Sequence, residues 1–543
     1  MSSWHFRRRR LGLLALSLAV AVVAIAGCGA EAAGPRAEGP PKPGGNLVFG
    51  LGVDPVSLNP QGGASGNGAL YVTRQLVDSL TEQDPATGGL VPWLATKWEV
   101  SPDAKVFTFT LREGVTFSDG SPVTAQSVKD NFDSIVAAGA KASGALPFLT
   151  GYARTVVVDP LTAQVEFNAS NGAFLQATSS SALGLLAPST LAVPFEERAS
   201  GKLVGSGPFV LDHYTPNSEV VLRKRAGYDW APETRRNRGE AYVDTVTFKI
   251  IPEAGARTGA LQSGQIAAAS DLPPQYVGLL RDSGYSFVVR PNPGLVYGFS
   301  LNQAAPVLAD SNVRRALRSG IDAAEVRDTL LTPDFAVATS VLAKTTPGWL
   351  DQSASIGYDP DEANRLLDEA GWRRGADGIR VKDGRPLVLN TVSVSNFGPN
   401  QSILELLQQQ LKRIGIRMEF KNGTVPEWLE TLKTGAFDLA WGNFSRADGD
   451  VLRMTYAAAG NNSYRIDDPE LEAALRGQQA TADPQVRAQF INAAERLIVD
   501  RGYAIPVVEL TSIIGQSGEV HGIEFGADSR LQQLNDAWVS GPH

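Results

Sequence analysis

The longest apolar run in the chain is confined to the N-terminus, and this limits where the remaining residues can fold. It extends from Leu11 to Ala26, is broken only by Gly12 and Ser17, and follows four consecutive arginines. A membrane-spanning helix needs about 20 apolar residues, so a run of sixteen residues has the size expected of an export signal. No comparable run follows residue 30. We therefore expect the rest of the chain to fold as a soluble, exported body.

The apolar run ends in Ile25-Ala26-Gly27-Cys28, and Cys28 is the only cysteine of the chain. This tetrapeptide resembles the bacterial lipobox, in which the cysteine is acylated and becomes the mature N-terminus. The resemblance implies a signal peptide over residues 1–27 and lipidation of Cys28, which would hold the protein at the outer face of the cytoplasmic membrane. We expect residues 28–43 to form a flexible tether. The alternative is an uncleaved membrane anchor with an incidental cysteine.

Composition argues against several classes of function. One cysteine excludes an intramolecular disulfide and any multi-cysteine metal site. Four histidines, two of them at the ends of the chain, argue against a histidine-rich metal site. The formal net charge of −8, without a basic run beyond the N-terminus, argues against nucleic-acid binding. We therefore expect no metal, no cofactor and no nucleic-acid partner.

The sequence contains no recognisable catalytic motif. Both the G-x-x-x-x-G-K-[ST] phosphate loop and the G-x-S-x-G nucleophile elbow are missing. His213 and His521 are the only interior histidines, and His213 alternates along a predicted strand as a surface residue does. Paired carboxylates for glycoside hydrolysis remain open, because 57 acidic residues offer many pairs. We expect that the protein is not an enzyme, with a secreted lipoprotein hydrolase as an alternative.

The first half of the chain has the patterns of β-structure. With 543 residues, the chain is long enough for two or three lobes. Residues 46–50 predict a short strand, and the strict alternation from Phe107 to Leu111 predicts a half-buried strand. Residues 156–167 predict a hairpin with its turn at Asp159-Pro160.

The second half changes to a mixed α/β pattern. Asp359, followed by proline and two acidic residues, predicts the N-cap of a helix that Gly371 ends. Residues 387–394, 402–413 and 416–420 then predict strand, helix and strand. This order is typical of a βαβ unit, so we expect a parallel sheet here.

Several segments of the body together resemble the extracellular solute-binding proteins of family 5, the peptide, nickel and opine binding components of ABC importers. They occur in family order from about residue 44 to residue 540. The segments that carry the resemblance are Gly44 to Val48, Pro92 to Glu99, Phe107 to Val115, Phe117 to Gly120, Gly205 to Phe209, Val313 to Leu317, Tyr358 to Trp372 and Gly502 to Val507.

The resemblance implies an α/β fold, a type II periplasmic-binding-protein-like clamp of two lobes with an additional inserted α+β domain. Lobe 1 would combine residues 44–77, 203–290 and 504–543. The inserted domain would comprise residues 78–202 and carry the family signature block, and lobe 2 would comprise residues 291–503. Crossings near residues 290 and 503 would let the lobes close on a ligand.

The signature block itself is interpreted as structural. Trp98 and the face of Phe107 and Phe109 are typical of core packing, although Trp93 and Trp98 could be taken for ligand contacts. Asp119-Gly120 predicts a tight turn in which the glycine has a positive φ.

The resemblance places candidate ligand contacts in the stretch from Phe437 to Asp450. In related peptide binders the corresponding segment sets an aromatic residue and an acid against the peptide N-terminus, which implies a role for Asp448, with Asp450 as the alternative register. Arg446 could instead hold a carboxylate in a bidentate manner. The tentative ligand-binding residues are Asn59, Tyr297, Trp441, Phe444, Arg446, Asp448 and Asp450, with core packing an equal alternative for Tyr297.

The expected function is capture of oligopeptides or dipeptides for an ABC importer. The partners implied are the permease and ATPase complex, and the membrane through the lipid anchor; we expect a monomer. An alternative keeps the fold but changes the ligand to a chelated metal, siderophore, opine or oligosaccharide. The sequence leaves the ligand open.

Overall fold

Asn46–Leu51 folds as a strand because Leu47, Phe49 and Leu51 turn into a common core, as the sequence predicts. The computed structural model describes residues 40–63, 66–394, 397–458 and 462–541. Asn46–Leu51 runs parallel to both of its neighbours in the first sheet, Thr245–Ile250 and Ala268–Ser270. In spatial order, the first sheet is formed by Ser286–Pro291, Thr511–Gln516, Ala268–Ser270, Asn46–Leu51, Thr245–Ile250, Glu219–Lys224 and Phe209–Thr215.

The second sheet contains the predicted βαβ unit. Val388–Val394 and Arg417–Gly423 pair in parallel, and the helix Asn400–Arg413 connects them, so this prediction is confirmed. The apolar stripe of that helix packs into the core together with Leu389, Met418 and Leu439. In spatial order, the second sheet is formed by Ala336–Val337, Ala504–Glu509, Gly294–Leu301, Leu439–Ser445, Val388–Val394 and Arg417–Gly423.

The chain crosses between these two sheets through two short segments that lie side by side. Asn292 and Pro293 connect Ser286–Pro291 of the first sheet to Gly294–Leu301 of the second sheet. Leu510 connects Ala504–Glu509 of the second sheet to Thr511–Gln516 of the first sheet. The Asn292 backbone N–H donates to the Leu510 carbonyl over 2.7 Å. Gly294 has a φ of 103°, and a Cβ there would lie 2.3 Å from the Phe444 carbonyl oxygen, so glycine is required where the crossing ends.

The residues between the helix Asn67–Leu76 and the first-sheet strand Phe209–Thr215 form an insert, and this insert contains a separate sheet. All its pairs are antiparallel, and the predicted strand at residues 107–111 and the predicted hairpin both lie in it. The rings of Phe107 and Phe174 meet edge to face with centroids 4.9 Å apart in its core. In spatial order, the insert sheet is formed by Ala95–Val100, Val106–Leu111, Thr162–Phe167 and Tyr152–Asp159.

Helices cover these sheets, and shorter strands connect them. Asp359 caps its helix as predicted, because its carboxylate accepts from the Glu362 backbone N–H over 2.9 Å. The α-helices are Asn67–Leu76, Ala125–Ala138, Phe174–Ala177, Pro188–Leu191, Ala254–Gln262, Pro274–Asp282, Ser311–Ser319, Ala323–Leu330, Pro360–Glu369, Asn400–Arg413, Val425–Thr434, Val451–Tyr456, Pro469–Gly477 and Pro484–Asp500. Short 3-10 turns are Gly139–Ala142, Leu146–Leu149, Ser181–Leu183, Phe195–Ser200, Pro306–Leu308, Ser353–Ser355 and Leu534–Asp536. The remaining strands are Thr81–Gln83, Leu90–Pro92, Arg373–Arg374, Arg380–Lys382, Arg385–Pro386, Val520–His521 and Trp538–Val539.

One predicted boundary differs from the observed pairing. The predicted lobe 1 segment 504–543 begins with Ala504–Glu509, but this strand pairs with Gly294–Leu301 in the second sheet. Its side chains are buried on both faces, so its hydrophobic pattern suits either sheet. The return to the first sheet therefore occurs at Leu510. The division into lobes stays a prediction, and the predicted signal peptide and lipidated Cys28 lie outside the described residues.

The aromatic residues of the signature block pack in or against the insert, and its turn forms as the sequence predicts. Trp93, Phe107 and Phe109 are buried, while Trp98 is half-buried against the insert core. Gly120 has a φ of 84°, which the tight turn after Asp119 requires.

Candidate functional site

A cavity of about 190 Å³ lies where the helix Asn67–Leu76, the insert, the C-terminal loop and the end of a second-sheet strand meet. Its wall combines segments that are far apart in the sequence. They are the region around the first helix (Pro60, Gly62, Leu70, Arg74), the insert (Glu82, Gln83, Phe148, Gln176), the loop after Tyr228 (Arg235), the end of Leu439–Ser445 (Arg446, Ala447) and the C-terminal loop (Asp528, Arg530). The site can therefore form only in the folded chain.

Arg74 lies in the last turn of the helix Asn67–Leu76 and forms part of the cavity wall. Its guanidinium donates to Ser79 Oγ over 2.9 Å and to the Ser179 carbonyl over 2.6 Å. The same group lies over the ring of Trp93, 5.3 Å from the centroid. The buried tryptophan of the signature block thus positions a cavity arginine by a cation–π contact.

Glu82 and Arg235 form a buried ion pair in the same wall. Arg235 Nη2 lies 3.2 Å from Glu82 Oε1, and the two side chains are only 2% and 8% exposed. Gln532 Nε2 donates to the same carboxylate oxygen over 3.4 Å. Among the described residues, Arg235 Nε has no hydrogen-bond partner. This pair leaves one guanidinium donor free.

Arg446 enters the cavity from the second sheet. Its backbone N–H donates to the Pro293 carbonyl over 3.0 Å, which fixes its position next to the crossing. Its guanidinium lies over the ring of Phe148, 4.7 Å from the centroid, and contacts the sulfur of Met454. Burial lowers the pKa of Arg446, although nearby Asp450 and Asp448 oppose this shift. The side chain is 8% exposed, and no described residue accepts from its Nε.

The C-terminal loop supplies one more charged pair of residues. Arg530 Nη1 donates to the Asp528 carbonyl over 2.7 Å, while the Asp528 carboxylate accepts from the Arg530 backbone N–H over 3.1 Å. This geometry leaves Arg530 Nε without a hydrogen-bond partner in the described part of the chain. The carboxylate and the guanidinium of this loop are therefore held by backbone contacts and not by each other.

Gln83 joins the insert to the segment that carries Arg446. Its Nε2 donates to the carbonyls of Gly88 and Ala447, each over 3.0 Å, and its Oε1 accepts from Gln176 Nε2 over 3.0 Å. On another side of the cavity, the backbone segments of Gly62 and Gly144 are in close contact, because a Cβ on Gly144 would lie 2.1 Å from the Gly62 carbonyl oxygen. These contacts enclose the cavity on two sides.

The two acids predicted as ligand contacts are both engaged inside the second-sheet part of the molecule. Arg487, on the helix Pro484–Asp500, donates to both carboxylate oxygens of Asp448, with Nη1 2.8 Å from Oδ2. Arg453 holds Asp450 with two bonds of 2.8 Å. Burial acts to raise the pKa of Asp448, but the charge and hydrogen bonds of Arg487 outweigh it and lower that pKa. Neither acid lines the cavity.

The predicted aromatic contacts are divided between the core and the surface. Trp441 and Tyr297 are buried, and their rings stack with centroids 5.6 Å apart. Trp441 Nε1 also donates to Asn400 Oδ1 over 3.0 Å. Phe444 is 46% exposed and lies outside the cavity wall. Core packing is thus the role of Tyr297 and Trp441 in this arrangement.

Asn59 lies beside the cavity, next to Pro60, which lines it. Its side chain is buried, and its Oδ1 accepts from the Gln61 backbone N–H over 3.1 Å. Of the predicted contacts, Arg446 alone is among the described residues that line the cavity. The sequence provided no signal for Arg74, Glu82, Arg235 and Arg530, since nothing in their local patterns indicates that they meet.

The described residues offer neither a metal-binding cluster nor a membrane-spanning helix. They contain no group of three or more His, Cys, Asp or Glu side chains that could hold a metal ion. None of their helices is both long and apolar enough to cross a membrane. His213 is exposed, as predicted, and its ring contacts Asp212 over 3.0 Å.

The fold is that of a solute-binding protein. Residues 89–465 match the family model described as bacterial extracellular solute-binding proteins, family 5 Middle. The chain belongs to this family, so the resemblance found in the sequence is confirmed.

A curated relative and two solved structures define the likeness. The oligopeptide-binding protein OppA of Mycobacterium tuberculosis (strain ATCC 25618 / H37Rv) is 28% identical over 427 residues, 75% of this chain and 69% of that protein. NikA from Brucella suis, in complex with Fe(III)-EDTA, has a TM-score of 0.80 at 22% identity, covering 91% of this chain and 100% of that one. The oligopeptide-binding protein AppA from Bacillus subtilis, in complex with a nonapeptide, has a TM-score of 0.74 at 20% identity, covering 92% and 100%. The predicted type II binding-protein fold is confirmed.

Proposed function

We propose that the protein captures a small solute, a short peptide in the first instance, in the cavity beside Arg446 and delivers it to an ABC importer. The observation that carries the proposal is the cavity itself, which is walled by the helix Asn67–Leu76, the insert, the C-terminal loop and the second-sheet strand end. Ligand sites are typically concave and carry a few convergent polar groups. The relative named as oligopeptide-binding supports a peptide ligand. On this proposal, the protein is a binding protein and not an enzyme.

The size of the cavity favours a short ligand. Its volume of about 190 Å³ is below the roughly 300–1,000 Å³ of pockets for drug-sized ligands. A dipeptide suits this enclosed space better than a long peptide. A longer ligand would require the walls joined by Gln83 and Ala447 to separate.

The paired crossings provide the means of opening. Asn292 and Leu510 are hydrogen-bonded to each other, and Ser512 Oγ donates to Asn292 Oδ1 over 2.7 Å. Two adjacent single-chain connections allow one sheet to rotate against the other while neither sheet is distorted. Contacts made only in the closed arrangement would then favour closure when ligand is present.

A second candidate ligand is an anionic metal chelate. Arginines outnumber acidic residues in the cavity wall, which suits a ligand with several carboxylates. NikA, which has the same fold, is described in complex with Fe(III)-EDTA. In this case the chelator, and not a protein side chain, would bind the metal.

The site of action follows from the N-terminal sequence. We propose lipidation at Cys28, anchoring at the outer face of the cytoplasmic membrane, and function as a monomer beside the permease and ATPase complex. Changing Cys28→Ala is expected to move the protein from the membrane fraction to the soluble exported fraction. Fractionation after palmitate labelling measures this, and continued labelling of the variant would contradict the assignment.

A thermal-shift experiment tests the ligand class. The purified protein is heated with dipeptide mixtures, with longer peptides, and with Fe(III)-EDTA. A ligand at a hundredfold excess over its Kd stabilises the folded state by about 2.7 kcal/mol, which should raise the melting temperature by about 2–4 °C. A shift with the chelate and none with peptides would replace the first candidate by the second.

A further inference from the structure

The insert is held by buried hydrogen bonds to the part of the chain that carries the first sheet. Arg225, which follows the strand Glu219–Lys224, is 7% exposed and donates to the Phe117 carbonyl of the insert over 2.7 Å. Asp78, at the start of the insert, accepts from Trp230 Nε1 over 2.8 Å. Because these bonds are shielded from water, the insert and the first sheet are expected to keep their relative position.

A loop on the second-sheet side contacts the insert from the opposite direction. This loop, residues 478–482, is called the docking loop, and the helices on either side of it share a hydrophobic core with the strand Leu439–Ser445. The Gly172 backbone N–H of the insert donates to the Gln479 carbonyl over 2.9 Å. Ala482 packs against the hydrophobic core of the insert. The docking loop therefore joins the second-sheet side to the insert.

The docking loop leaves no room for a side chain at residue 172. A Cβ on Gly172 would lie 2.8 Å from the carbonyl oxygens of both Gln478 and Thr481, and 3.1 Å from that of Gln479. These distances are shorter than van der Waals contact, so the backbone on one side would have to move. The φ of Gly172 is not positive. Glycine is therefore required here by the facing loop and not by its own backbone conformation.

Both sides of this contact are fixed in place. In the insert, the Asn171 backbone N–H donates to the Ala104 carbonyl over 2.8 Å, and the ring of Phe174 is part of the aromatic core. On the other side, Arg487 Nε donates to the Gln478 carbonyl over 3.1 Å. A side chain at residue 172 would therefore push the two surfaces apart.

The docking loop is connected to the cavity wall by close packing. Ile491, on the helix that follows the loop, lies in the same core as Ala440. A Cβ on Gly449 would lie 2.6 Å from Ile491 Cδ1, so the backbone of Gly449 rests directly on that helix. Two residues earlier, Ala447 lines the cavity, and its carbonyl accepts from Gln83 of the insert over 3.0 Å. Movement of the docking loop thus moves this wall relative to the insert.

We propose that Gly172 is a positioning residue for solute binding, because its lack of a side chain sets the distance between the insert wall and the Ala447 wall of the cavity. Gly172 is not among the described residues that line the cavity, so it acts through the docking loop. The inference rests on the proposed function and adds a residue that determines the preferred size of the solute. A larger residue at position 172 widens the cavity and disfavours the shortest solutes.

Hydrogen–deuterium exchange of the ligand-free protein tests the contact itself. Wild type is compared with Gly172→Ala and with the matched control Gly259→Ala, because a Cβ on Gly259 would meet no described atom within 4 Å. Residues 168–176 and 478–483 should exchange faster in Gly172→Ala alone, while its melting temperature stays close to that of wild type. Wild-type exchange in the docking loop of Gly172→Ala would overturn the inference, as would faster exchange throughout the insert.

Ala482→Glu provides a second variant on the facing side of the contact. A carboxylate at this position would have to lie against the apolar core of the insert, so the docking loop should separate and give the same exchange pattern. This substitution adds no atom to the insert, so agreement of the two variants excludes a folding defect of the insert as the cause. An effect of Gly172→Ala that Ala482→Glu does not reproduce would overturn the inference.

Peptides of two lengths test the effect on solute size. The probes are a mixture of dipeptides and a mixture of tetrapeptides built from Gly, Ala, Ser and Leu, and calorimetric titration gives their apparent affinities. Gly172→Ala should weaken dipeptide binding by about tenfold and tetrapeptide binding by less, since a short solute depends on both walls at once. Gly259→Ala should bind both mixtures as wild type does. Equal losses for both lengths, or unchanged dipeptide affinity, would overturn the inference.

Failure of the peptide proposal gives a different result. If neither mixture binds to wild type, the peptide ligand is rejected and Fe(III)-EDTA becomes the probe. Weaker chelate binding by about tenfold in Gly172→Ala, but not in Gly259→Ala, would support the positioning role. Unchanged chelate affinity would overturn it. If no probe binds, the role of Gly172 in solute binding is rejected, and faster exchange in the docking loop then reports a structural contact only.

Discussion

Buried ionisable side chains of the second-sheet region stabilise the fold and limit which residues can reach a ligand. The Asp448–Arg487 pair connects the segment after Leu439–Ser445 to the helix Pro484–Asp500. Truncating one member of such a pair leaves the other charge buried and unpaired. The same geometry that removes Asp448 from the cavity makes it important for stability.

Changing Asp448→Asn is therefore expected to lower the free energy of unfolding by about 3–5 kcal/mol. Chemical denaturation measures the change, and calorimetry measures ligand affinity of the remaining folded protein, which should be nearly unchanged. Glu362→Gln is a matched control, since that carboxylate lies in an exposed ion pair with Arg365 and should contribute about 0–1 kcal/mol. Normal stability with lost affinity would show that Asp448 contacts the ligand after all.

Glu495 provides a test of pH dependence. Its carboxyl group is fully buried and hydrogen-bonded to Ser340 Oγ over 2.6 Å, and Ser340 accepts from Gln352 Nε2 over 2.8 Å. Burial raises the pKa of Glu495 from 4.5 to about 8, although the hydrogen bonds from Ser340 and from nearby groups act to lower it. The folded protein thus retains a proton that the unfolded chain releases above about pH 4.5.

Raising the pH through the window from about 4.5 to 8 is expected to reduce stability, because unfolding releases the Glu495 proton in this window and a rising pH favours the state that releases it. Glu495→Gln removes this contribution, so the variant should melt higher than wild type at pH 8 and depend less on pH. Melting temperatures of both proteins from pH 5 to pH 9 measure this. Parallel profiles would contradict the assignment.

At the scale of elements, the sequence predicts those helices and strands whose formation depends on neighbouring residues. The cap at Asp359, the alternation at Phe107–Leu111 and the βαβ unit around Asn400–Arg413 each depend on neighbouring residues, and each is confirmed. The sheet to which Ala504–Glu509 belongs depends on pairing with a strand about 200 residues away, which its apolar sequence does not specify.

The candidate site shows the same limit more strongly. Arg446 was predicted because it lies in a segment that resembles a family motif. The partner of Asp448 lies 39 residues further along the chain on a separate helix, and no local pattern indicates that Arg487 turns toward it. The other cavity arginines lie on the helix Asn67–Leu76, in the loop after Tyr228 and in the C-terminal loop, and they meet only when these segments pack together.

The contact between the insert and the second-sheet strand end is expected to control ligand release. Gln83→Ala removes the hydrogen bond to the Ala447 carbonyl, a loss of about 0.5–1.5 kcal/mol. The dissociation rate should therefore rise roughly twofold to tenfold. Stopped-flow displacement measures the rate. Gln164→Ala is the control, since the Gln164 side chain donates to Thr108 within the insert sheet and lies outside the cavity wall. An equal effect of both changes would contradict this role.

At the scale of the whole molecule, the cavity lies next to the crossings between the two sheets. Arg446 is bonded through its backbone to Pro293, so the side chain proposed to bind the ligand is attached directly to a crossing segment. Ligand bound at Arg446 and at the helix Asn67–Leu76 would connect the second-sheet strand end to the first part of the chain beside the crossings. This explains how a small solute could hold two large parts of the chain in a closed state.

Native mass spectrometry of the freshly purified protein tests the central claim most directly. The account predicts that wild-type protein retains a small solute, and that Arg446→Gln, folded to the same melting temperature without ligand, retains little or none of it. Arg476→Gln is the control, because that side chain is 68% exposed and lies outside the cavity, and it should retain the solute as wild type does. Equal retention of the same molecule by wild type and Arg446→Gln would contradict the account.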